Sequence, residues 1–173
     1  IRGMDKGGVN YTGFLYAGLM ITPDGRVKTL EFNCRLGDPE TQPILMRLKT
    51  DLVDVLMAAT EQKLDTIELE WDRHVALGVV MAAAGYPLSP RKGDVMTGLP
   101  GGDSSVGNDA VVFHAGTQVQ DGQTLTNGGR VLCVTVLAET VKKAQSRAQA
   151  IVQTIHFDGA QYRSDIGYRA IKA

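Results

Sequence analysis

The chain has 173 residues, of which 43% are hydrophobic and 21% are charged. This composition is typical of a globular protein with enough apolar side chains for one core or two small ones. Lys and Arg number 18 and Asp and Glu number 19, so the net charge is −1. We therefore exclude binding to nucleic acid or to an acidic membrane through a strong positive field. The longest apolar run, residues 76–86, is far shorter than the ~20 residues of a membrane-spanning helix.

The first predicted element is a β-hairpin. Residues 12–21 and 27–35 are rich in strand-forming side chains. Between them, the sequence TPDGR at residues 22–26 is typical of a tight turn, because proline presets φ and Asp-Gly accommodates the bend. Two strands joined by such a turn predict an antiparallel pair.

The second strand of this hairpin carries polar residues at alternate positions. Side chains alternate between the two faces of a strand, so we expect Glu31, Asn33 and Arg35 to share one face. Phe32 and Cys34 would then share the opposite face, which we predict to pack on a core.

A helix is predicted to follow the hairpin, from about Thr41 to Lys63. Its apolar residues recur at helical spacing: Ile44, Leu45, Leu48, Leu52, Val55, Leu56 and Ala59. Proline is tolerated only in the first turn of a helix, so Pro43 places the start near Thr41. This start leaves Asp38 and Glu40 in the preceding turn, where they can face a ligand.

The second half of the chain is predicted to be rich in β-strands and to contain one long helix. The sequence QDGQ at residues 120–123 predicts the turn of a further hairpin. Thr140 is a predicted N-cap. The predicted apolar face of the helix comprises Val141, Ala144, Ala148, Ile151, Val152 and Ile155. A weak final strand is expected in the tail, residues 157–171.

The cysteines and the start of the chain suggest its cellular context. Cys34 and Cys133 do not form a CxxC pair, and we predict two buried, reduced thiols in a cytoplasmic protein. The sequence begins without an initiator Met or a leader and enters strand-like sequence by residue 12. We expect it to be part of a longer polypeptide.

Glu31 and Asn33 are candidate metal ligands. Mg²⁺ prefers oxygen ligands and often completes its coordination with substrate phosphates. Residues at i and i+2 lie ~6.7 Å apart along a strand, so Glu31 and Asn33 can bind one ion or straddle two. Arg35 would then oppose phosphoryl oxygens. The alternative is a solvent-exposed strand on which Glu31 and Arg35 form a salt bridge.

The sequence TNGGR at residues 126–130 has two interpretations. Its backbone N–H groups can form an anion-binding nest, with Gly128 and Arg130 contacting a phosphoribosyl group. Asn-Gly is also the strongest short signal for a hairpin turn, and this simple structural role remains open.

Longer strings resemble one enzyme family, in the same order along the chain: FLYAGLM, EFNCRLGDPETQ, GVVMAAAGYP, FHAGT, TNGGRVLCVT and DIGYRAI. The family is glycinamide ribonucleotide synthetase, or phosphoribosylamine–glycine ligase, within the ATP-grasp superfamily. The resemblance implies an α+β fold with three segments. Residues 1–64 would be the carboxy-terminal part of an ATP-grasp domain, residues 65–75 a linker, and residues 76–173 a small β-rich domain with one long helix.

The resemblance also implies a reaction. Family members use ATP to join 5-phosphoribosylamine to glycine, through glycyl phosphate, giving glycinamide ribonucleotide in purine biosynthesis. Glu31 and Asn33 match the family's ligands for Mg²⁺ or Mn²⁺, and Arg35 matches an arginine that steadies ATP and the transferring phosphate. We expect a monomeric parent protein in the cytoplasm, with no nucleic-acid or membrane partner.

The turn after Arg35 would lie at the substrate end of the cleft. Asp38 and Glu40 are candidate catalytic residues together with Arg35, and Gly37 and Asp38 are candidate substrate contacts. Gly128 and Arg130 are further candidate substrate contacts.

Two departures from the family pattern limit this interpretation. Many ATP-grasp relatives carry another metal-binding carboxylate on the preceding strand, whereas LYAGLM has none. The family's enzyme is also much longer, and its front part supplies a substrate domain, the ATP lid and phosphate-binding lysines. We therefore expect the isolated chain to be inactive. The alternatives are another purine-pathway ATP-grasp ligase or carboxylase, and a non-catalytic substrate-shaping or interaction module.

Overall fold

The computed structural model describes residues 2–171. Within them, the chain divides into two compact units: residues 2–41 with 48–71, and residues 42–47 with 72–171. No helix in the described part of the chain combines the length and the apolar character needed to cross a membrane.

The first unit begins with a short helix α1 (Arg2–Lys6), followed by the predicted hairpin of β1 (Tyr16–Ile21) and β2 (Val27–Asn33). The two strands are antiparallel, so the predicted hairpin is confirmed. Its turn is closed by the amide N–H of Thr22, which donates to the Arg26 carbonyl over 2.9 Å.

The predicted buried face of this hairpin is wrong. Phe32 is 64% exposed, Cys34 is also exposed, and β2 ends at Asn33, two residues before Arg35. A two-stranded ribbon buries a face only where another layer packs on it. Among the described residues of this unit, no such layer covers these side chains.

The helix after the hairpin begins at Thr41 as predicted, with Pro43 in its first turn, but it is not continuous. Helix α2 (Thr41–Arg47) is followed by a separate helix α3 (Leu52–Thr60) and a 3₁₀ turn (Leu64–Thr66).

A short bridge to residues 70 and 71 and a local cap lie at this break. Leu48 pairs with Trp71, and the amide N–H of Lys49 donates to the Glu70 carbonyl over 2.9 Å. The Asp51 side chain then accepts a hydrogen bond from the Val53 amide over 2.7 Å and caps α3. The apolar spacing continues across the break, so the pattern alone predicts one helix.

The second unit is β-rich and contains one long helix. In chain order its main elements are β3 (Val75–Ala82), β4 (Ala110–His114), β5 (Thr117–Gln120), β6 (Gln123–Thr126), β7 (Arg130–Ala138), α4 (Val141–Val152) and α5 (Tyr168–Ile171). Strand β7 lies between β3 and β4 in an antiparallel sheet, and β5 pairs with β6 as the predicted hairpin.

The core of this unit lies between α4 and the three-stranded sheet. The Thr140 side chain accepts from the Lys143 amide over 3.2 Å, so the predicted N-cap is confirmed. The buried residues of α4 are Ala144, Ala148, Ile151 and Val152, as the spacing predicted. They join one apolar cluster with alternate residues of the central strand β7, such as Val134 and Val136.

The Asn127-Gly128 turn joins β6 to β7 but closes no hairpin, because β6 pairs with β5 while β7 pairs with β3 and β4. The prediction of a final strand is wrong. The tail forms no final strand among the described residues. It makes a single bridge, Gln161 to Ala82, and ends in α5.

Candidate functional site

The strand register places Glu31 and Asn33 on one face of the hairpin. Tyr16 pairs with Asn33, and Gly18 pairs with Glu31. A Cβ on Gly18 would lie 3.0 Å from Glu31 Cγ, so the absent side chain leaves room for the glutamate. Strand β1 therefore accommodates the carboxylate that the sequence singled out on β2.

The Asn33 side chain has a distinctive environment. Its amide nitrogen is buried and has no hydrogen-bond acceptor among the described residues. The oxygen of the same amide is the atom that a metal would bind.

Arg35 lies in the bend after β2 rather than on the strand. Its side chain is exposed and donates from Nη1 to the Leu36 carbonyl over 3.0 Å. The predicted alternation therefore ends before this residue. Such a local backbone contact leaves other guanidinium N–H groups available for a phosphate.

The turn from Gly37 to Glu40 is anchored at both ends. The Thr41 amide donates to the Gly37 carbonyl over 3.1 Å, and Thr41 Oγ1 donates to the same oxygen over 2.5 Å. At the other end, Tyr16 Oη donates to Glu40 Oε1 over 3.3 Å. Asp38 is exposed between these anchors.

Gly37 is the buried point of this turn. A Cβ at this position would lie 2.8 Å from Tyr16 Cε2 and 3.0 Å from Glu40 Cδ. The glycine thus allows the tyrosine ring and the glutamate to pack against the backbone. This gives a structural reason for the glycine in GDPE.

Tyr16 experiences the charges of three candidate site residues. The Glu40 carboxylate raises the pKa of Tyr16 above its ordinary value, and desolvation and Glu31 raise it further. The Arg35 guanidinium lowers this pKa. Tyr16 therefore lies among the predicted metal, phosphate and substrate residues, although sequence reasoning did not select it.

The remaining candidates, Gly128 and Arg130, belong to the second unit. A Cβ on Gly116 would lie 2.8 Å from Gly128 Cα, and the Asn127 amide donates to the Gly116 carbonyl over 2.7 Å. The neighbouring Gly129 lies against the Tyr86 ring. Close backbone packing therefore explains these glycines, and a phosphate nest at this loop stays a prediction.

Few protein side chains are placed to bind a metal ion at this site. Residues 2–171 contain no group of three or more His, Cys, Asp and Glu side chains arranged to hold a metal ion. If Glu31 and Asn33 hold an ion, then most of its ligands must come from water and phosphates.

Family comparison identifies the lineage of both units. Residues 76–169 match the family described as phosphoribosylglycinamide synthetase, C domain. The chain belongs to the phosphoribosylglycinamide synthetase family. Residues 1–41 match the ATP-grasp (A) domain of the same synthetase. The fold is therefore α+β, with the carboxy-terminal portion of an ATP-grasp domain followed by a small β-rich domain.

Individual relatives agree with this assignment. The chain is 64% identical over 172 residues to a phosphoribosylamine–glycine ligase of Ralstonia nicotianae, and the match covers 99% of the chain and 40% of that protein. It is 56% identical over 173 residues to the enzyme of the same name from Escherichia coli strain K12, again with 99% and 40% coverage. The chain therefore spans about 40% of the length of these relatives.

Solved structures show the same relationship. The phosphoribosylamine–glycine ligase of Thermotoga maritima aligns with a TM-score of 0.79 and 38% identity, covering 95% of this chain and 39% of that chain. A Rhizobium etli pyruvate carboxylase aligns with a TM-score of 0.51 and 17% identity, covering 88% and 16% respectively. The second match shows a shared fold only.

Proposed function

We propose that the polypeptide containing this chain is a phosphoribosylamine–glycine ligase that uses ATP to join 5-phosphoribosylamine and glycine through glycyl phosphate. The observation that carries this proposal is the match of both units to one synthetase family. The polar face of the hairpin supports it, because Glu31 and Asn33 lie side by side opposite Gly18 and Tyr16.

Within this proposal, Glu31 and Asn33 bind Mg²⁺ or Mn²⁺. Their carboxylate and amide oxygens are hard ligands of the kind that these ions prefer, and the two residues share one face of the hairpin. When bound, the ion neutralises charge on the phosphoryl oxygens of ATP. The exposed guanidinium of Arg35 binds the same phosphates, because its planar fork matches their oxygens.

The Gly37–Glu40 turn contacts substrate in this proposal. Asp38 is exposed on it, and its carboxylate can attract the ammonium group of glycine or the amine of phosphoribosylamine. Glu40 is held beside Tyr16 and can accept a proton from an attacking amine. Gly128 and Arg130 contact the phosphoribosyl group.

The proposed domain limits follow the sequence prediction: residues 1–64 for the ATP-grasp part, 65–75 for the linker and 76–173 for the carboxy-terminal domain. A cytoplasmic location and a monomeric parent protein also stay predictions. The remainder of the longer polypeptide would supply the rest of the ATP site.

Replacing Glu31 in the full-length parent protein tests the proposal. Charge stabilisation by a metal contributes several kcal/mol to a transition state, and about 1.36 kcal/mol corresponds to a tenfold change in rate. We therefore expect Glu31→Ala to lower the glycine- and phosphoribosylamine-dependent release of ADP by at least about a hundredfold. Glu31 is exposed, so the melting temperature should hardly change.

Glu68→Ala is the matched control, since Glu68 is an exposed glutamate in a loop of the same unit. It should retain the parent's turnover. Wild-type turnover of Glu31→Ala at limiting Mg²⁺ would contradict the metal assignment, and a parent protein without this ADP release would contradict the proposed reaction.

A further inference from the structure

Tyr16 connects the two candidate regions of the first unit. Across the hairpin it pairs with Asn33, the candidate metal ligand. Towards the following turn, its hydroxyl donates to Glu40 Oε1 over 3.3 Å. One side chain therefore contacts the turn while its own backbone belongs to the sheet that carries Glu31 and Asn33.

The Tyr16 ring packs closely against the Gly37–Glu40 turn. Gly37 is buried, and a Cβ there would lie 2.8 Å from Tyr16 Cε2 and 3.0 Å from Glu40 Cδ. The ring and the glutamate thus lie against the same glycine. Thr41 holds the carbonyl of that glycine through two hydrogen bonds, which leaves little freedom for the turn to shift.

We propose that Tyr16 is a positioning residue, whose ring seats the Gly37–Glu40 turn and whose hydroxyl holds the Glu40 carboxylate in place relative to Glu31 and Asn33. The inference rests on the proposed function, in which Glu40 accepts a proton. Tyr16 itself needs no contact with substrate, because it acts through the orientation of Glu40.

Electrostatics agree with this geometry. Glu40 is the largest contributor raising the pKa of Tyr16, Glu31 raises it further and Arg35 lowers it. The phenol therefore lies within the electric field of all three groups.

The test is a double-mutant cycle in the full-length parent protein, using Tyr16→Phe, Glu40→Ala and the double variant. Tyr16→Phe removes only the hydroxyl, and we expect kcat to fall about fivefold to tenfold, as for loss of one ordinary hydrogen bond. In the Glu40→Ala background, Tyr16→Phe should cause no further loss, because coupled residues are not additive.

Tyr11→Phe is the matched control. Tyr11 is another tyrosine of the same unit, and its hydroxyl donates to the Phe14 carbonyl rather than to a candidate site residue. This variant should keep the parent's kcat. If Tyr16→Phe lowered kcat equally in the wild-type and Glu40→Ala backgrounds, the tyrosine would have a general structural role and the inference would be overturned. An unchanged kcat in Tyr16→Phe would also overturn it, and so would an unchanged kcat in Glu40→Ala.

A readout independent of turnover separates this inference from the proposed reaction. Tyrosine labelled with ¹³C at Cζ gives a resonance that senses the hydrogen bond of the phenol, and Tyr16→Phe identifies the resonance of Tyr16. Removing the acceptor in Glu40→Ala should shift this resonance at neutral pH, because the hydroxyl donates to Glu40 Oε1. Should the parent lack ligase activity, an unchanged resonance would overturn the contact, whereas a shifted resonance would support it.

Discussion

Leu132, Val134 and Val136 of the second unit are fully buried, whereas Leu30 and Phe32 of the first unit are 65% and 64% exposed. All five are large apolar side chains on β-strands. The difference is that α4 packs on the sheet of the second unit, while no comparable layer covers the hairpin among the described residues. Burial, and hence hydrophobic stabilisation, therefore concentrates in the second unit.

The candidate chemistry has the opposite distribution. Glu31, Asn33, Arg35 and Glu40 all lie in the poorly buried first unit. Substitutions of these residues should change activity more than stability, and substitutions in the apolar core of the second unit should do the reverse. The predictions below test this division, from the largest expected effect to the smallest.

The largest expected effect concerns the 173-residue chain by itself, which we predict to be folded but catalytically silent. It spans about 40% of its relatives' length, and the candidate site offers the metal one carboxylate and one amide. Positioning of reactants can account for ~7–11 kcal/mol of a barrier, so a partial site should lose nearly all its rate.

The measurement is ADP release from the purified chain that depends on both glycine and phosphoribosylamine, with the full-length parent as the control. Circular dichroism of the same sample would establish that it is folded. Turnover comparable with the parent would show that the chain holds a complete ATP site and would contradict the prediction.

A second test compares two leucines in the isolated chain. Leu132 is fully buried in β7, so Leu132→Ala should cost ~2–5 kcal/mol of the free energy of unfolding. Leu30 is 65% exposed in β2, and Leu30→Ala should change that free energy by less than about 0.5 kcal/mol.

Urea unfolding can follow the two units separately. The chain has one tryptophan, Trp71, which belongs to the first unit. Its fluorescence reports on that unit, whereas far-UV circular dichroism also reports on the sheet and helix of the second. If Leu30→Ala lowered the free energy of unfolding as much as Leu132→Ala, hydrophobic stabilisation would not be concentrated in the second unit.

The smallest expected effect concerns Asp38. Helix α2 begins three residues later, at Thr41, so Asp38 is not its N-cap. In the parent protein, Asp38→Asn should lower activity by about tenfold, the equivalent of one hydrogen bond to a charged group, with little change in melting temperature. Asn caps helices as well as Asp does, so a capping role predicts that neither quantity changes. Paired melting and kinetic measurements distinguish the two.

Local patterns allowed much of this fold to be predicted. The hairpin turn at residues 22–26, the Thr140 cap and the buried stripe of α4 depend on residues close together in sequence. The shared face of Glu31 and Asn33 could also be predicted, because side chains alternate along a single strand and no distant partner is needed.

Tyr16 was missed because a bulge changes the hairpin register. Ile21 pairs with Val27, and uninterrupted pairing from there would place Tyr16 opposite Phe32. The irregularity between Gly18 and Leu19 shifts the register by one residue, so Tyr16 lies opposite Asn33 instead. A shift of one residue moves a side chain to the other face of a strand.

The sequence by itself determined the family, the first hairpin, helix α4 and the candidate metal ligands, because these depend on motifs and short-range periodicity. Tertiary structure contributed to the break between α2 and α3, where the Leu48–Trp71 bridge joins residues far apart in sequence and the Asp51 cap starts α3. It also decided that Phe32 and Cys34 are exposed and that Tyr16 holds Glu40. The physical reason is that burial, register and side-chain contacts depend on which distant segment packs against a residue. A local sequence pattern does not identify that segment.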